Sequence, residues 1–506
     1  MPSRSLAASP RVNGTPQLRL SALVRQMASS ASSSQSKQET LPGKLSSQNE
    51  NAAPPVLFRS ELNTRTYVLN RPRQLNALDQ SMLELLKSKI EEWEHSPRCH
   101  VIIGTGNGRA FCAGGDVKTI VQNLQNGNPE TGIKFFKEEF ELDYALARLK
   151  TPYIAILDGV TMGGGVGLSI NAMFRVATEN TVFAMPETKI GYSPDVGASF
   201  FLPRLDGALG TYLGLTGESL HGREVFESGI ATHYVASHRI PALLERLNNL
   251  DKPTPEMIND ALEEFHSERL SDEPRSKVAG SRRKAVDMAF SGSSVEDIMG
   301  ALSGLAHQPD HPESGWAKET LETLEQRSPT SMVVAFEALR EGRQQTLGQA
   351  LTTELGIATA YCTGASPDFI TGVQALLIDK AEGRPEWSPN KIGDLSPSKV
   401  LSEFFSRDPS FWQKVPEASF MDPESLSFPT DPMKFSLPSE EEIGRLVRGE
   451  HPSSSSTAFS LEELLQKAQE LWGKQGVEAK VEDVVSRRCE VVPKSGMQEA
   501  HVRWIH

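Results

Sequence analysis

The 506-residue sequence is poor in cysteine, in net positive charge and in long apolar runs, and each shortage closes a class of explanation. Its four cysteines, Cys99, Cys112, Cys362 and Cys489, lie far apart. Neither a disulfide framework nor a paired metal-ligand spacing fits them, so reduced thiols in an intracellular compartment are expected. Cys112 has glycines after it but no evident His partner, which makes it a weak nucleophile candidate. Asp and Glu outnumber Lys and Arg by 65 to 52. The resulting charge of −13 argues against a general nucleic-acid binder, because neutralising phosphates takes clustered cations. No apolar stretch is long enough to span a bilayer. No cluster of ligand side chains implies a metal or a redox cofactor, so no metal site and no cofactor are expected. What is present, 38% hydrophobic and 23% charged residues, suits a soluble globular protein. The length exceeds one ordinary core, so two or three structural units are expected.

The first forty residues stand apart. Arg4, Arg11, Arg19, Arg25 and Lys37 precede the first acid, Glu39, among abundant Ser and Ala. Leu18, Leu20, Leu23 and Val24 could share one side of a short basic helix. That is the composition of a mitochondrial transit peptide, placed at residues 1–27, and residues 28–55 read as a polar linker with nothing to bury. The competing reading of the start is a disordered basic arm.

Order is expected from Val56-Leu57-Phe58, with a second strand at Arg65–Leu69 ended by Asn70-Arg71-Pro72. A helix from about Asp79 places Met82, Leu85, Leu86, Ile90 and Trp93 on one face, and His100–Gly104 is the next strand. Strand, helix, strand opens a right-handed crossover unit, and with it an α/β fold. Ala110-Phe111-Cys112-Ala113-Gly114-Gly115-Asp116 is a small-residue turn. Ile133, Phe136, Phe140, Tyr144 and Ala147 then mark a helix with a wide apolar face; Glu138 falls opposite that face and Glu139 at its margin. The strand Tyr153–Leu157 leads into Thr161-Met162-Gly163-Gly164-Gly165-Val166-Gly167-Leu168, a glycine turn that opens a helix. Such a turn lets a ligand approach the backbone and presents unpaired N–H groups to an anion or a developing oxyanion. Close packing of a glycine-rich helix on a sheet is the plainer explanation. Two acids follow, Glu187 after Met185-Pro186 and Asp195 after Ser193-Pro194. Singly they could be a helix N-terminal residue and a turn residue. Jointly, two donor turns and two carboxylates could share one carbonyl group.

These motifs resemble the crotonase (enoyl-CoA hydratase/isomerase) superfamily. Leu69-Asn70-Arg71-Pro72, Leu75-Asn76-Ala77-Leu78, Ala110–Asp116 and Gly163-Gly164-Gly165 occur in that family's order and at about its spacing. Within it, Phe135-Phe136-Lys137-Glu138-Glu139, Met185-Pro186-Glu187-Thr188, Pro194-Asp195-Val196-Gly197, Ser328-Pro329-Thr330-Ser331 and Asp379-Lys380 are similar to the branch that hydrolyses 3-hydroxyisobutyryl-CoA. The resemblance covers roughly residues 56–387. It implies a spiral of ββα units over residues 56–300, a helical C-terminal region over 301–390 and an acyl-CoA substrate. By position, Gly115 and Gly164 would supply the oxyanion donors, and Arg71, Leu75, Ala77, Ala113, Gly115 and Asp116 would line the CoA channel. Glu139 would contact substrate, and Glu187 and Asp195 would be the catalytic and substrate-binding carboxylates. Hydratases of the family carry a second catalytic Glu where this chain has Gly167. Hydration needs two positioned acid/base groups, whereas thioester hydrolysis needs an oxyanion site and one carboxylate, so hydrolysis is expected.

Residues 391–506 leave the family pattern. Leu461, Leu464, Leu465, Ala468, Leu471 and Trp472 predict an amphipathic helix, which would pack back on the core or dock a partner. Some fungal mitochondrial relatives of this branch are components of the small mitochondrial ribosomal subunit. The resemblance therefore admits that subunit, or a second copy of the chain, as a partner, in the mitochondrial matrix.

Overall fold

Two parallel-rich sheets wind through the first half of the chain because successive apolar runs alternate between them. The structure is a computed structural model that describes residues 53–505 apart from 271, 422–430, 455–457 and 494–499. The expected transit peptide and nearly all of the linker lie outside the described residues.

Strands β1 (Val56–Ser60), β2 (Thr64–Leu69), β3 (Val101–Gly106), β5 (Tyr153–Leu157), β7 (Phe174–Ala177) and β10 (His233–Tyr234) form one sheet in that order. Strands β4 (Ala110–Cys112), β6 (Val160–Met162), β8 (Val182–Ala184) and β9 (Leu220–His221) form the other. Each of β3, β5 and β7 is followed directly by a short strand of the second sheet, and helices close the turns. This is the expected ββα spiral. The pairings are parallel except β1 with β2 and β8 with β9. Both faces of the larger sheet are buried, which explains its continuous apolar strands. Ile102, Tyr153, Ala155 and Leu157 join the main core. Val101, Ile103, Ile154, Ile156, Phe174 and Val176 pack on the opposite side with the helices Ile240–Asn248 and Pro255–Glu263.

The helix after Asp79 runs Gln80–Glu94, with the Asp79 carboxylate accepting the Met82 N–H. Its buried arc is Met82, Leu83, Leu86, Ile90 and Trp93. Leu85, expected in that arc, is instead 39% exposed. At about 100° per residue the arc centres between Met82 and Leu83, which turns Leu85 outward.

Helices from Gly280–Phe290 to Asp368–Val373 make up the expected helical C-terminal region, which thus begins some way before residue 301. From Ala53 onward the chain packs as one unit, and the segment after residue 390 is woven into it. Phe435 stacks on Phe174 at 4.8 Å between ring centroids. Arg175, fully buried within β7, donates to the carbonyls of Ile230 (2.6 Å), Ala172 (2.7 Å) and Pro432 (2.9 Å) and to Ser436 Oγ (2.9 Å). Lys474 Nζ reaches His233 Nε2 at 3.1 Å and pairs with Glu263. The predicted amphipathic helix is Leu461–Trp472, opened by a Ser460/Glu463 capping box. It turns Leu464 and Ala468 fully inward, so this face packs on the chain itself.

Candidate active site

The two glycine turns lie back to back because no side chain stands between them. A methyl group placed on Gly163 would come 3.4 Å from Gly114 Cα, and one on Gly114 would come 3.9 Å from Gly164 N. Gly163, at φ +47, ends β6 and opens the helix Gly164–Ile170. Gly114, at φ +112, turns the chain after β4. The next residues, Gly115 and Gly164, carry N–H groups with no hydrogen-bond partner among the described residues. Unpaired, adjacent backbone donors at a helix start are what an oxyanion hole requires.

The stretch Arg71–Leu78 is stitched along the first turn. Ala113 N–H donates to the Leu75 carbonyl (3.0 Å), Leu78 N–H to Gly114 (2.8 Å) and Asp116 N–H to Leu78 (2.8 Å). Asn76, buried at φ +58, donates from its amide to the carbonyls of Asn107 (3.0 Å) and Ala110 (2.8 Å) and accepts Arg71 N–H (2.8 Å). The six positions expected along a CoA channel are therefore brought together. Arg71 is committed within them: its guanidinium meets the Ala77 carbonyl (2.6 Å), Asp79 (3.2 Å) and Asp116 (3.3 Å). It orders the loop through these contacts.

Two buried carboxyls, Glu139 and Glu187, face the paired turns, and three more stand within charge range of them. Glu139, on the helix Pro129–Ala147, stands so close to Gly164 that a methyl there would collide with its Oε1. The same oxygen lies 3.7 Å from a methyl position on Gly115. Glu187 begins the turn Glu187–Ile190, and its Oε1 lies 3.1 Å from a methyl position on Gly163. Asp195 sits on the following loop, 7% exposed. Glu139 and Glu187 thus meet at the glycines, and Asp195 lies near enough to both for their charges to raise it. Glu138 faces outward instead, near Lys134 at 3.5 Å and against Gln80, as its place opposite the apolar face implies.

Two further acids belong to this cluster and escaped the sequence reading. Asp143, one turn after Glu139, is 1% exposed, and neither of its oxygens has a partner among the described residues. The signal was its i+4 spacing from Glu139. Glu354 is the one acid in the otherwise uncharged helix Leu347–Cys362, and that isolation was its signal. It accepts hydrogen bonds from Gly197 N–H (2.7 Å), Ser199 N–H (2.9 Å) and Ser199 Oγ–H (2.6 Å).

Burial drives every one of these acids toward its neutral form, and no cation offsets it. Glu187 is pushed up to about 8 by burial and by the charge of Glu354. Glu354, despite its three donors, is pushed up to about 7 by burial. Glu139 is raised by burial and by Glu187. Asp143 is raised by burial, then by Glu139 and Glu354. Asp195 is raised by burial, then by Glu139, Glu187 and Glu354. Carboxyls tuned toward neutrality can move protons at ordinary pH. Cys112 is pushed up to about 12 by burial, and its thiol donates to the Gly114 carbonyl at 3.6 Å, which makes it an inert packing group. At Gly167 a side chain has no room: a Cβ would collide with the Asp143 carboxyl and lie 2.7 Å from Val196 Cβ.

The chain is similar to several known proteins. A family model described as enoyl-CoA hydratase/isomerase matches residues 64–405. The small ribosomal subunit protein mS47 of Neurospora crassa is 41% identical over 466 residues, 89% of this chain and 87% of that protein. The 3-hydroxyisobutyryl-CoA hydrolase 1 of Arabidopsis thaliana is 39% identical over 355 residues, 70% of this chain and 91% of its own length. The mitochondrial 3-hydroxyisobutyryl-CoA hydrolase of Homo sapiens is 39% identical over 361 residues, 71% and 91%. Among solved structures, a carnitinyl-CoA dehydratase from Mycobacterium thermoresistibile superposes with a TM-score of 0.62 at 30% identity, covering 71% of this chain and 98% of that one.

Proposed function

The chain belongs to the enoyl-CoA hydratase/isomerase family, and from that premise we propose that it hydrolyses the thioester of 3-hydroxyisobutyryl-CoA, and of related short 3-hydroxyacyl-CoAs, in mitochondrial valine degradation. The carrying observation is the unpaired N–H groups of Gly115 and Gly164 opposite the buried Glu187 carboxyl. The amides take the thioester oxygen as it becomes negative. Glu187 either attacks the thioester carbon to form a mixed anhydride, which water then opens, or takes a proton from the attacking water. In both routes the C–S bond breaks, and the proton delivered by water ends on the CoA thiolate or the released acid. Asp195 holds the 3-hydroxyl or assists proton transfer, and Glu139 shapes the acyl pocket. The Arg71–Ala77 stretch with Ala113, Gly115 and Asp116 lines the way in for CoA. The scheme balances with water and these acids alone, so the only coenzyme it uses is the CoA of the substrate.

Support for hydrolysis over hydration comes from Gly167, where Asp143 and Val196 occupy the space a second carboxylate-bearing side chain would need. Glu187→Gln should lower kcat by about 10²–10⁴-fold, the usual worth of a positioned proton-transfer group. Near-wild-type release of free CoA by that variant would refute the assignment. Single turnover in oxygen-18 water separates the two routes, since label in Glu187 requires the anhydride.

A second reading rests on a different observation. The alignment with the Neurospora crassa ribosomal protein spans 89% of the chain, whereas the plant and human hydrolases align over 70% and 71%. We infer that the chain is also a component of the small mitochondrial ribosomal subunit, with the hydrolase site retained. In a sucrose gradient of mitochondrial lysate it should sediment with that subunit; recovery only in the soluble fraction would exclude the role. No helix among the described residues is long and apolar enough to cross a membrane.

A further inference from the structure

The loop that carries Asp195 is strained. Val196 has φ +55 and Gly197 φ +88, and Ala198 N–H donates to the Asp195 carbonyl at 2.8 Å. Asp195–Ala198 is therefore a turn with both central residues left-handed, a shape Asn-Gly adopts readily and a β-branched valine resists. Such a conformation persists only where its surroundings over-determine it. Val196 is 1% exposed and packs against Gly167, which fixes one side of the turn. The other side is fixed by Glu354, reaching across from a helix 155 residues further along the chain to take the Gly197 and Ser199 donors. Both carboxylate oxygens are used, one for Gly197 and one for Ser199.

We propose that Glu354 is a positioning residue of thioester cleavage: by clamping the strained Asp195–Ala198 turn it sets where the Asp195 carboxyl stands relative to Glu187. The inference rests on the hydrolase reading above. A Gln side chain fits the same space but offers one acceptor, and its amide nitrogen would face an N–H instead of receiving it. A clamp whose purpose is to hold strain is needed less once the strain is removed, and replacing Val196 by glycine removes it.

The test is a cycle of Glu354→Gln, Val196→Gly and the double variant in the full chain, with free-CoA release from 3-hydroxyisobutyryl-CoA as the assay. Glu354→Gln should lower kcat by about 10–10²-fold with little change in KM, as small misplacement of a reacting group does. Adding Val196→Gly should recover at least about 5-fold of that loss, an interaction neither single change makes alone. A Glu354→Gln protein with wild-type kcat, or a double variant no faster than Glu354→Gln, would overturn the proposal. If Glu354→Gln does not fold by circular dichroism, Ser199→Ala removes one of the three bonds. It should lower kcat about 3-fold without moving KM, and an unchanged kcat there would overturn the proposal equally. A wild-type chain that releases no CoA would instead refute the hydrolase reading.

Discussion

Gly164→Ala is the most direct perturbation of this site, because the backbone donor survives while its surroundings change. Gly164 does not need left-handed backbone, so alanine is conformationally allowed at the first position of its helix. There it gains about 0.5–1 kcal/mol of helix preference over glycine. Against this, the new methyl overlaps Glu139 Oε1 and approaches Leu78 Cδ1 at 3.1 Å. Overpacking of that kind costs about 1–3 kcal/mol, and here the obstructing atom is the end of a flexible side chain that can swing aside. Net destabilisation should stay below about 2 kcal/mol, so the variant should fold. Its cost is functional: Glu139 must leave the place beside both oxyanion donors, and kcat/KM should fall on the order of 10²-fold. The neighbouring Gly165→Ala is the control, because its methyl would run into the Cys112 carbonyl, a backbone atom that cannot give way. That variant should lose stability by more than about 3 kcal/mol. Thermal melts and free-CoA release separate the two. Wild-type kcat/KM in a folded Gly164→Ala protein would refute the claim that Glu139 has to stand at that spot.

Three further outcomes follow from charges and contacts. Because burial raises Glu187 to about 8 in the folded protein, the unfolded chain loses this proton first, and stability falls as pH rises from about 4.5 to about 8. Glu187→Gln escapes that loss, so its melting temperature should gain on wild type between about pH 5 and pH 8, and a gap independent of pH would refute the assignment. If ionised Glu187 is the working group, kcat should also lose activity as pH drops through about 8, a limb the Gln variant lacks. Arg175→Met removes the four donors that tie β7 to the carbonyls of Ile230, Ala172 and Pro432 and to Ser436, and should cost at least about 3 kcal/mol. Limited proteolysis should then cleave near residue 432 first; unchanged protection there would show that the C-terminal segment is held by other contacts.

The site was legible in sequence where local chemistry repeats a motif. Gly114-Gly115 and Gly163-Gly164 announce close approach because only glycine tolerates the turn geometry or the missing space. Glu187 and Asp195 stood out as acids beside Gly and Pro, where a helix or strand interior does not explain them. Asp143 and Glu354 did not stand out, since an acid on a long helix reads as solvent-facing unless the opposite surface is known. Leu85 failed for the converse reason: its spacing allowed either edge of the buried arc, and the helix Pro129–Ala147 and strand β1 that the arc packs against decide which.

The sequence by itself therefore determined the strand–helix–strand opening, the two glycine turns and the acids that follow them, because backbone preference and apolar period are local properties, and its family resemblance implied the ββα order. Only the tertiary structure decided that five buried carboxyls lie within charge range of one another with no cation to offset them, that Asp143 fills the space beside Gly167, and that Glu354 reaches back across the chain to bond the turn that follows Asp195. Burial, charge coupling and collision are properties of distance in space, and residues 139, 187, 195 and 354 become neighbours only when the helices close over the sheets.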